Sequence, residues 1–411
     1  MKTDLDLLMQ SSGIDALLVT GPSLHNPAMV YFTGLAHVSQ ADLVKRRGHP
    51  GLLFHAAMER DEAAKSGLEL CSYSNYPIMD LLKESGNDRR KAVVLRYRRM
   101  LADAGITSGR IALYGQTDLG KGYAQFKNLQ GAMPAVEFVG DLDKDVLLEA
   151  MSTKDVVEIE RIRQMGKVTT RVVGSVADFL SSRPVKNGAL VGLDGDPLTI
   201  GEVKSRINLW VAEGGAENPE STIFAIGHDA GVPHSAGNPQ DVLRLGQTIV
   251  FDIYPCEAGG GYFYDFTRTW CLGYAPDEAQ ALYEQVLAVY RQIMSELKVN
   301  APFKDYQRRT CELFEAQGHP TVMTNPQTEV GYVHSVGHGV GLHIHERPFS
   351  GIMAPDSDIL APGAVITIEP GLYYPERGLG MRLEDTVYVR PDGAFEIPAE
   401  YPLDLVLPVG R

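Results

Sequence analysis

The run His334-Ser-Val-Gly-His338-Gly-Val-Gly341-Leu-His343-Ile-His345-Glu346 is the densest concentration of imidazoles in the chain, and the rest of the sequence is best understood from it. Five of the eleven histidines fall between positions 319 and 345, and glycine stands on both sides of His338. Without a Cβ, such glycines would let the backbone carry the imidazole close to a bound group, so the stretch points to site chemistry and not to core packing. Moving outward, carboxylates stand in four apolar, strand-like runs: Asp252 in TIVFDIYP, Asp265 in YFYDFTRTW, Glu369 in VITIEPGLYY and Glu384 in MRLEDTVYV.

Period-two alternation puts these acids on inward-facing positions. Val250, Asp252 and Tyr254 share one face, as do Asp265, Thr267 and Thr269, and as do Arg382, Glu384 and Thr386. An unpaired carboxylate moved out of water costs several kcal/mol unless it is compensated. Four of them call for cations, and two divalent ions would balance the charge, with a neutral imidazole completing the set. Oxygen-rich ligation with one histidine suits Mn2+ foremost, with Co2+ or Zn2+ as alternatives, and argues against a closed thiolate zinc centre.

Length allows two domains with ample core. Thirty-eight basic against 52 acidic residues give a formal net charge of −14, the wrong sign for a phosphate backbone, so no nucleic-acid partner is expected. The first ten residues carry acids where a signal peptide would be apolar. With no apolar run of about 18 residues, the chain is expected to be cytoplasmic and without a membrane partner. Four cysteines, Cys71, Cys256, Cys271 and Cys311, lack C-x-x-C spacing. Cys256 and Cys271 flank the hairpin carrying Asp252 and Asp265, but a free cysteine in a strand is ordinarily a small buried hydrophobe, and thiolate ligation is set aside.

Residues 1–147 have the alternation of an α/β unit, with strands expected at Ile14–Thr20, Gly51–His55, Arg110–Tyr114 and Ala135–Val139 and helices near Ala57–Lys65 and Arg89–Ala104. The second half contains a coarse repeat. A helix over Thr153–Leu180, a Pro/Gly-rich stretch and a helix over Thr199–Glu213, opened by a Thr199/Glu202 capping box, lead to a segment with His228 and His234 and then to the first acid hairpin around Gly259–Gly261. Helices over Pro276–Leu297 and Phe303–Gln317 then lead to the histidine run and to a hairpin carrying Glu369 and Glu384. Leu282, Val286, Val289 and Ile293 form a packing face. Tyr373, Tyr374 and Phe224 fit core better than pocket, while His334 and His343 stay open between partners of a ligand and loop residues.

The ordered set Asp252, Asp265 with Thr-Arg-Thr, Gly337-His338-Gly339, Glu369-Pro-Gly and Arg382-Leu-Glu384-Asp-Thr resembles the pita-bread dinuclear metallopeptidases. His234 in Val-Pro-His-Ser and His345 in His-Glu narrow the resemblance to the Xaa-Pro dipeptidase (prolidase) and aminopeptidase P branch. It covers about 150–390. Residues before it resemble the branch's creatinase-like domain through Tyr31-Phe-Thr-Gly34.

The resemblance implies an α/β creatinase-like domain over 1–147 followed by an α+β pita-bread catalytic domain over 148–411 with a pseudo-twofold internal repeat. It further implies a homodimer that hydrolyses Xaa-Pro bonds in dipeptides through a hydroxide bridging two divalent metals. Asp252 would chelate one metal, Asp265 and Glu384 would bridge both, and His338 with Glu369 would complete the second. Glu369, His234, His345 and Arg382 would be the catalytic set, with Glu369 moving the proton and Arg382 orienting a ligand acid. Two departures stand out: the Asp252 to Asp265 interval is two residues longer than the branch's usual spacing, and 183–196 resembles an insertion. The alternatives are an aminopeptidase P acting on longer peptides and a catalytically silent peptide- or protein-binding module. The complete ligand set argues against the silent form.

Overall fold

A computed structural model describes residues 4–140 and 145–410, which divide into two compact units: residues up to Ala150 together with Gly259–Gly261, and Met151 onward without those three glycines. The first unit holds a six-stranded mixed sheet of β1 (Ala16–Gly21), β2 (Ala41–Arg46), β3 (Gly51–His55), β4 (Glu69–Ser72), β5 (Gly109–Gly115) and β6 (Val136–Val139), in the order β4-β3-β2-β1-β5-β6. Helices α1 (Arg89–Asp103) and α2 (Leu119–Ala132) contribute Tyr97, Met100, Leu101 and Leu129 to a core shared with Leu18, Val44, Phe54 and Ile111.

Two of these strands, β2 and β4, are not among those expected from sequence. In β2 the apolar pattern is broken by Asp42 and Lys45, yet both are buried. Asp42 accepts hydrogen bonds from the hydroxyls of Tyr73 and Tyr97 at 2.7 and 2.8 Å, and Lys45 pairs with Asp6. Partners brought from elsewhere in the chain make these polar residues compatible with a central strand. The helix expected at Ala57–Lys65 is a 3-10 turn, Ala57–Glu59, followed by the helix Arg60–Ala64.

The second unit is built on two helix pairs and one large sheet. Helix α3 (Val156–Ser181) opens with a full capping box, Asp155 with Glu158, and buries Ile159, Ile162, Met165, Val172, Val173 and Val176 at spacings of three and four. Helix α4 (Ile200–Glu213) starts from Thr199, whose hydroxyl accepts from the Glu202 N–H. Of the expected capping box this is the half that forms. Helices α5 (Asp277–Glu296) and α6 (Phe303–Ala316) repeat the arrangement, and the face of Leu282, Val286, Val289 and Ile293 is buried as its periodicity requires.

The main path of the nine-stranded sheet is made of β7 (Thr222–Ile226), β8 (Thr248–Ile253), β9 (Phe266–Leu272), β10 (His338–Gly339), β11 (Glu346–Phe349), β12 (Val365–Ile368) and β15 (Glu384–Val389), with the short strands Phe395–Glu396 and Val406–Leu407 pairing off it with β15 and β9. A separate hairpin, β13 (Gly371–Tyr374) with β14 (Leu379–Arg382), lies between β12 and β15 in the chain. The sheet order is β7-β8-β9-β15-β12-β10-β11, with every neighbouring pair antiparallel. Leaving aside β11, this order reads alike from either end, with the last strand of each repeat, β9 and β15, side by side at the middle. That is the arrangement a twofold relation between the copies produces.

Across the middle strands Asp252 stands opposite Thr267, and Thr267 opposite Glu384. One row on one face therefore carries a residue from each of three strands. On the other face Arg268 and Asp385 form a buried pair at 2.9 Å, and the Tyr290 hydroxyl donates to the same carboxylate at 2.5 Å. Arg268 also donates to the carbonyls of Thr267 and Glu384 at 2.9 and 2.8 Å, tying β9 to β15 directly behind the row.

Candidate metal centre

The carboxylate face of the sheet forms one wall of a cavity of about 650 Å3, and every candidate site residue lines it: Asp252, Asp265, His338, Glu369, Glu384, His234, His345 and Arg382. The five acid and imidazole ligand candidates are each delivered by a strand or a strand end, while His234 lies in a turn after β7 and His345 directly before β11. Asp252 lies in β8, Asp265 directly before β9, His338 in β10, Glu369 directly after β12, and Glu384 opens β15. Arg382 ends β14 and is separated from Glu384 by Leu383, so the two belong to different sheets and not to one alternating strand. They meet because both reach Thr267. Arg382 Nε donates to the Thr267 hydroxyl at 3.2 Å, and that hydroxyl donates to Glu384 Oε2 at 2.6 Å.

The glycines beside His338 have another reason than ligand approach. A Cβ on Gly337 would strike the Thr367 carbonyl, and one on Gly339 the Arg347 carbonyl. Close strand packing around β10 thus excludes any side chain there. Gly341 is crowded by the Glu346 carboxylate, which is fully buried, pairs with Lys154 at 2.8 Å and accepts from the His343 N–H at 3.0 Å. Glu346 is thereby the anchor of the loop that carries His343 and His345.

His338 is the most informative group. Its Nδ1 lies 3.0 Å from the Gly339 carbonyl, which can only accept, so the ring proton sits on Nδ1. Burial, and next His345, push the His338 pKa down to about 3, leaving the imidazole neutral. The lone pair of Nε2 then faces Glu369 Oε1 at 3.4 Å and Asp265 Oδ2 at 3.6 Å. Three acceptors facing one another repel unless a cation or protons stand between them. Ligand atoms of Asp265, His338 and Glu384 all lie within 4.8 Å of one another. Asp252 contributes a second sign of the same kind: Oδ2 accepts from Arg382 Nη2 at 2.5 Å, while Oδ1 is buried with no hydrogen-bond partner among the described residues.

The electrostatics agree. Burial, then the Asp252 and Glu369 charges, raises Asp265 well above the ordinary carboxylate range. Burial, then Asp265 and Glu369, does the same to Glu384. Burial raises Glu369 to about 8, with Asp252 adding to it and Arg382 opposing it. One guanidinium cannot neutralise this cluster, and an oxygen-rich donor set with one imidazole fits divalent cations.

Several supporting residues had no role assigned from sequence. The Thr367 hydroxyl accepts from the His338 N–H at 3.1 Å and donates to Glu369 Oε1 at 3.3 Å. Arg382 Nη1 donates to the Tyr373 hydroxyl at 2.7 Å, and Tyr373 donates to His334 Nε2 at 2.9 Å. With Nδ1 donating to the Ser335 carbonyl at 2.7 Å, both ring nitrogens of His334 are engaged, which makes it a brace and not a ligand. The threonines of TRT and VITI, standing in otherwise buried strands, were the available signal, because a buried hydroxyl needs a partner. Tyr373 is buried, as expected for a core residue, but serves as a connector. Phe224 packs on Phe251 and has no part in the cavity.

His234 and His345 remain accessible from the cavity. The His345 ring stands edge-on to His338 with centroids 4.3 Å apart, and partial burial, followed by the proximity of His234, lowers its pKa. His228 lies in the short helix Gly227–Ala230, outside the cavity lining. Cys256 and Cys271 are buried, free and absent from the lining, and burial pushes both thiols up to about 12, so neither offers a thiolate.

Comparison with known proteins places this geometry in context. Residues 160–391 match the model of metallopeptidase family M24, and residues 3–147 match the creatinase/prolidase N-terminal domain. An Xaa-Pro dipeptidase of Pyrococcus furiosus is 29% identical over 275 residues, 66% of this chain and 70% of that protein. A probable dipeptidase PepE of Mycobacterium tuberculosis is 29% identical over 256 residues, 62% of this chain and 61% of that protein. Among solved structures, an X-Pro aminopeptidase from Thermotoga maritima superposes with a TM-score of 0.75 at 22% identity, covering 97% of this chain and 99% of the other. The prolidase from Pyrococcus horikoshii gives 0.72 at 21% identity, covering 98% of each. These structures share the two-part architecture, a creatinase-like α/β domain followed by a pita-bread domain. The chain belongs to metallopeptidase family M24.

Proposed function

We propose that this metallopeptidase hydrolyses the bond preceding proline in Xaa-Pro dipeptides, using two divalent cations, Mn2+ foremost. Asp252 would chelate one cation, Asp265 and Glu384 would bridge the pair, and His338 with Glu369 would complete the second. The observation that carries this reading is the His338 lone pair turned toward Asp265 and Glu369, beside a buried Asp252 oxygen without a donor. The names of the archaeal and mycobacterial relatives support the dipeptide class.

When bound, such a cation pair supplies a water of lowered pKa and polarises the scissile carbonyl. The chain's own groups do the rest. Glu369, steadied by Thr367, takes the proton of the attacking water and returns it to the proline nitrogen, which has no hydrogen of its own in the tertiary amide. His345 and His234 stand where they can donate to the tetrahedral oxyanion or hold the substrate carboxylate. Arg382 touches Asp252 and not the reacting atoms, so its role is to orient that acid. A cavity of about 650 Å3 accommodates a dipeptide.

The test is cleavage of Ala-Pro against Ala-Pro-Pro by protein loaded with Mn2+ or Co2+. Faster turnover of the dipeptide is expected. Preference for the tripeptide would reassign the chain to an aminopeptidase P activity, and cleavage of neither would end the peptidase reading. Light scattering on the same preparation checks the expected homodimer.

A further inference from the structure

One acidic lining residue is not used by this chemistry. Glu220 opens onto the cavity, is exposed, and has no hydrogen-bond or ion-pair partner among the described residues. Its placement is built. The turn runs Asn218-Pro-Glu-Ser221, with Ser221 held at φ 70°, a left-handed conformation that a serine adopts only where its surroundings impose it. Asn218 Nδ2 donates to Asn208 Oδ1 at 3.0 Å and to the Thr222 hydroxyl at 2.8 Å, and the Ser221 N–H donates to the Asn218 carbonyl at 3.3 Å. The turn is thus fastened to α4 and to the start of β7, and Glu220 is presented beside Ile223, Tyr254, Ile344 and Phe349.

Charge and position together indicate what this carboxylate meets. Arg382 is the one lysine or arginine among the described lining residues, and it is committed to Asp252. No lysine or arginine among the described lining residues is left to pair with Glu220. In the β7–β8 ladder Ile223 stands opposite Asp252 and Thr222 opposite Ile253, so Glu220, three residues before Ile223, is carried up to roughly 10 Å along the ladder from Asp252. Glu220 is therefore set apart from the carboxylate row, at a separation suited to the end of a long side chain and not to the amino group adjoining the scissile carbonyl. Ile223, Tyr254, Ile344 and Phe349 provide apolar surface for the methylenes of such a chain.

We propose that Glu220 is a specificity residue selecting dipeptides whose residue before proline is cationic, lysine or arginine. This rests on the Xaa-Pro peptidase reading and deepens it. The test compares Lys-Pro with norleucyl-proline, which share a four-carbon side chain and differ in its terminal ammonium, on the metal-loaded enzyme. An accessible ion pair is worth a roughly three- to fivefold preference in kcat/KM, carried by KM and shrinking at about 0.5 M salt. Glu220→Gln should bring the ratio to about one, and Glu220→Lys should take it below one. On the metal-free protein, Lys-Pro should raise the melting temperature more than norleucyl-proline does. Equal cleavage or equal thermal shifts of the two by the wild-type chain, or a ratio that survives Glu220→Gln, would overturn the assignment while leaving the peptidase intact. Absence of cleavage of either dipeptide would instead remove the reading beneath it.

Discussion

His338, Asp265 and Glu384 behave as a unit because each is buried against like-charged or lone-pair neighbours. Asp265→Ala or Glu384→Ala should therefore lose both metals and activity together, checked by elemental analysis beside an Xaa-Pro assay, since the bridging acids serve two ions. His345→Ala should keep two metals per chain and lose about a hundredfold in turnover, the scale of a lost oxyanion donor. Arg382 makes a different prediction. Arg382→Leu leaves Asp252 buried and uncompensated, and in urea unfolding of the chelated protein it should cost about 3–5 kcal/mol, with part of that recovered on adding Mn2+. The acids and the histidine were legible in sequence because a charge within an apolar strand has few innocent explanations. Thr267, Thr367 and Tyr373 were not, because a threonine or tyrosine in a strand is ordinary, and only the fold shows which hydroxyl faces which carboxylate.

At the scale of elements, the sequence disclosed what is locally periodic and concealed what is held by distant partners. Helices α3 to α6 were legible in their apolar spacing. Strand β2 was hidden because Asp42 and Lys45 take their partners from Tyr73, Tyr97 and Asp6. The β13–β14 hairpin was hidden too, since the alternation through Arg382 and Glu384 continues across Leu383 although the strand does not. The loop carrying His343 and His345 illustrates how such long-range polar contacts support a site. Lys154 and Glu346 are 1% and 0% exposed and 192 residues apart. Lys154→Met should destabilise by about 3–5 kcal/mol by stranding the Glu346 charge, while Lys154→Met combined with Glu346→Leu should recover much of that loss. Thermal melts of the two variants test the difference. Activity should fall in the double variant even where stability recovers, because Glu346 also holds the His343 N–H.

For the whole molecule, the buried acids make stability depend on metal and pH together. Asp265, Glu384 and Glu369 have folded-state pKa values above their unfolded ones, Glu369 at about 8. Below the ordinary histidine pKa near 6.5 the buried imidazoles of His334 and His338, held down at about 3, work in the opposite sense, but between about 6.5 and 8 they are neutral in both states and the raised carboxyls make the metal-free folded state bind more protons than the unfolded state. Its stability must then fall as pH rises through that window. Chelated protein should accordingly melt at a lower temperature at pH 8 than at about pH 6.5, and saturating Mn2+ should raise the melting temperature more at the higher pH. A thermal stabilisation by metal that is independent of pH would count against buried carboxylates as the ligands. No helix among the described residues is long and apolar enough to cross a membrane.

The central pairing of β9 with β15 has a consequence for dissection of the chain. A break after Leu272, before α5, would leave Asp252 and Asp265 on one polypeptide and His338, Glu369 and Glu384 on the other. Neither piece would own a coordination set, and each would be blind to manganese on its own. Co-expressed, the two should find each other through the exposed ladder edges and the Arg268–Asp385 clasp, so that recovery of metal uptake would report reassembly directly.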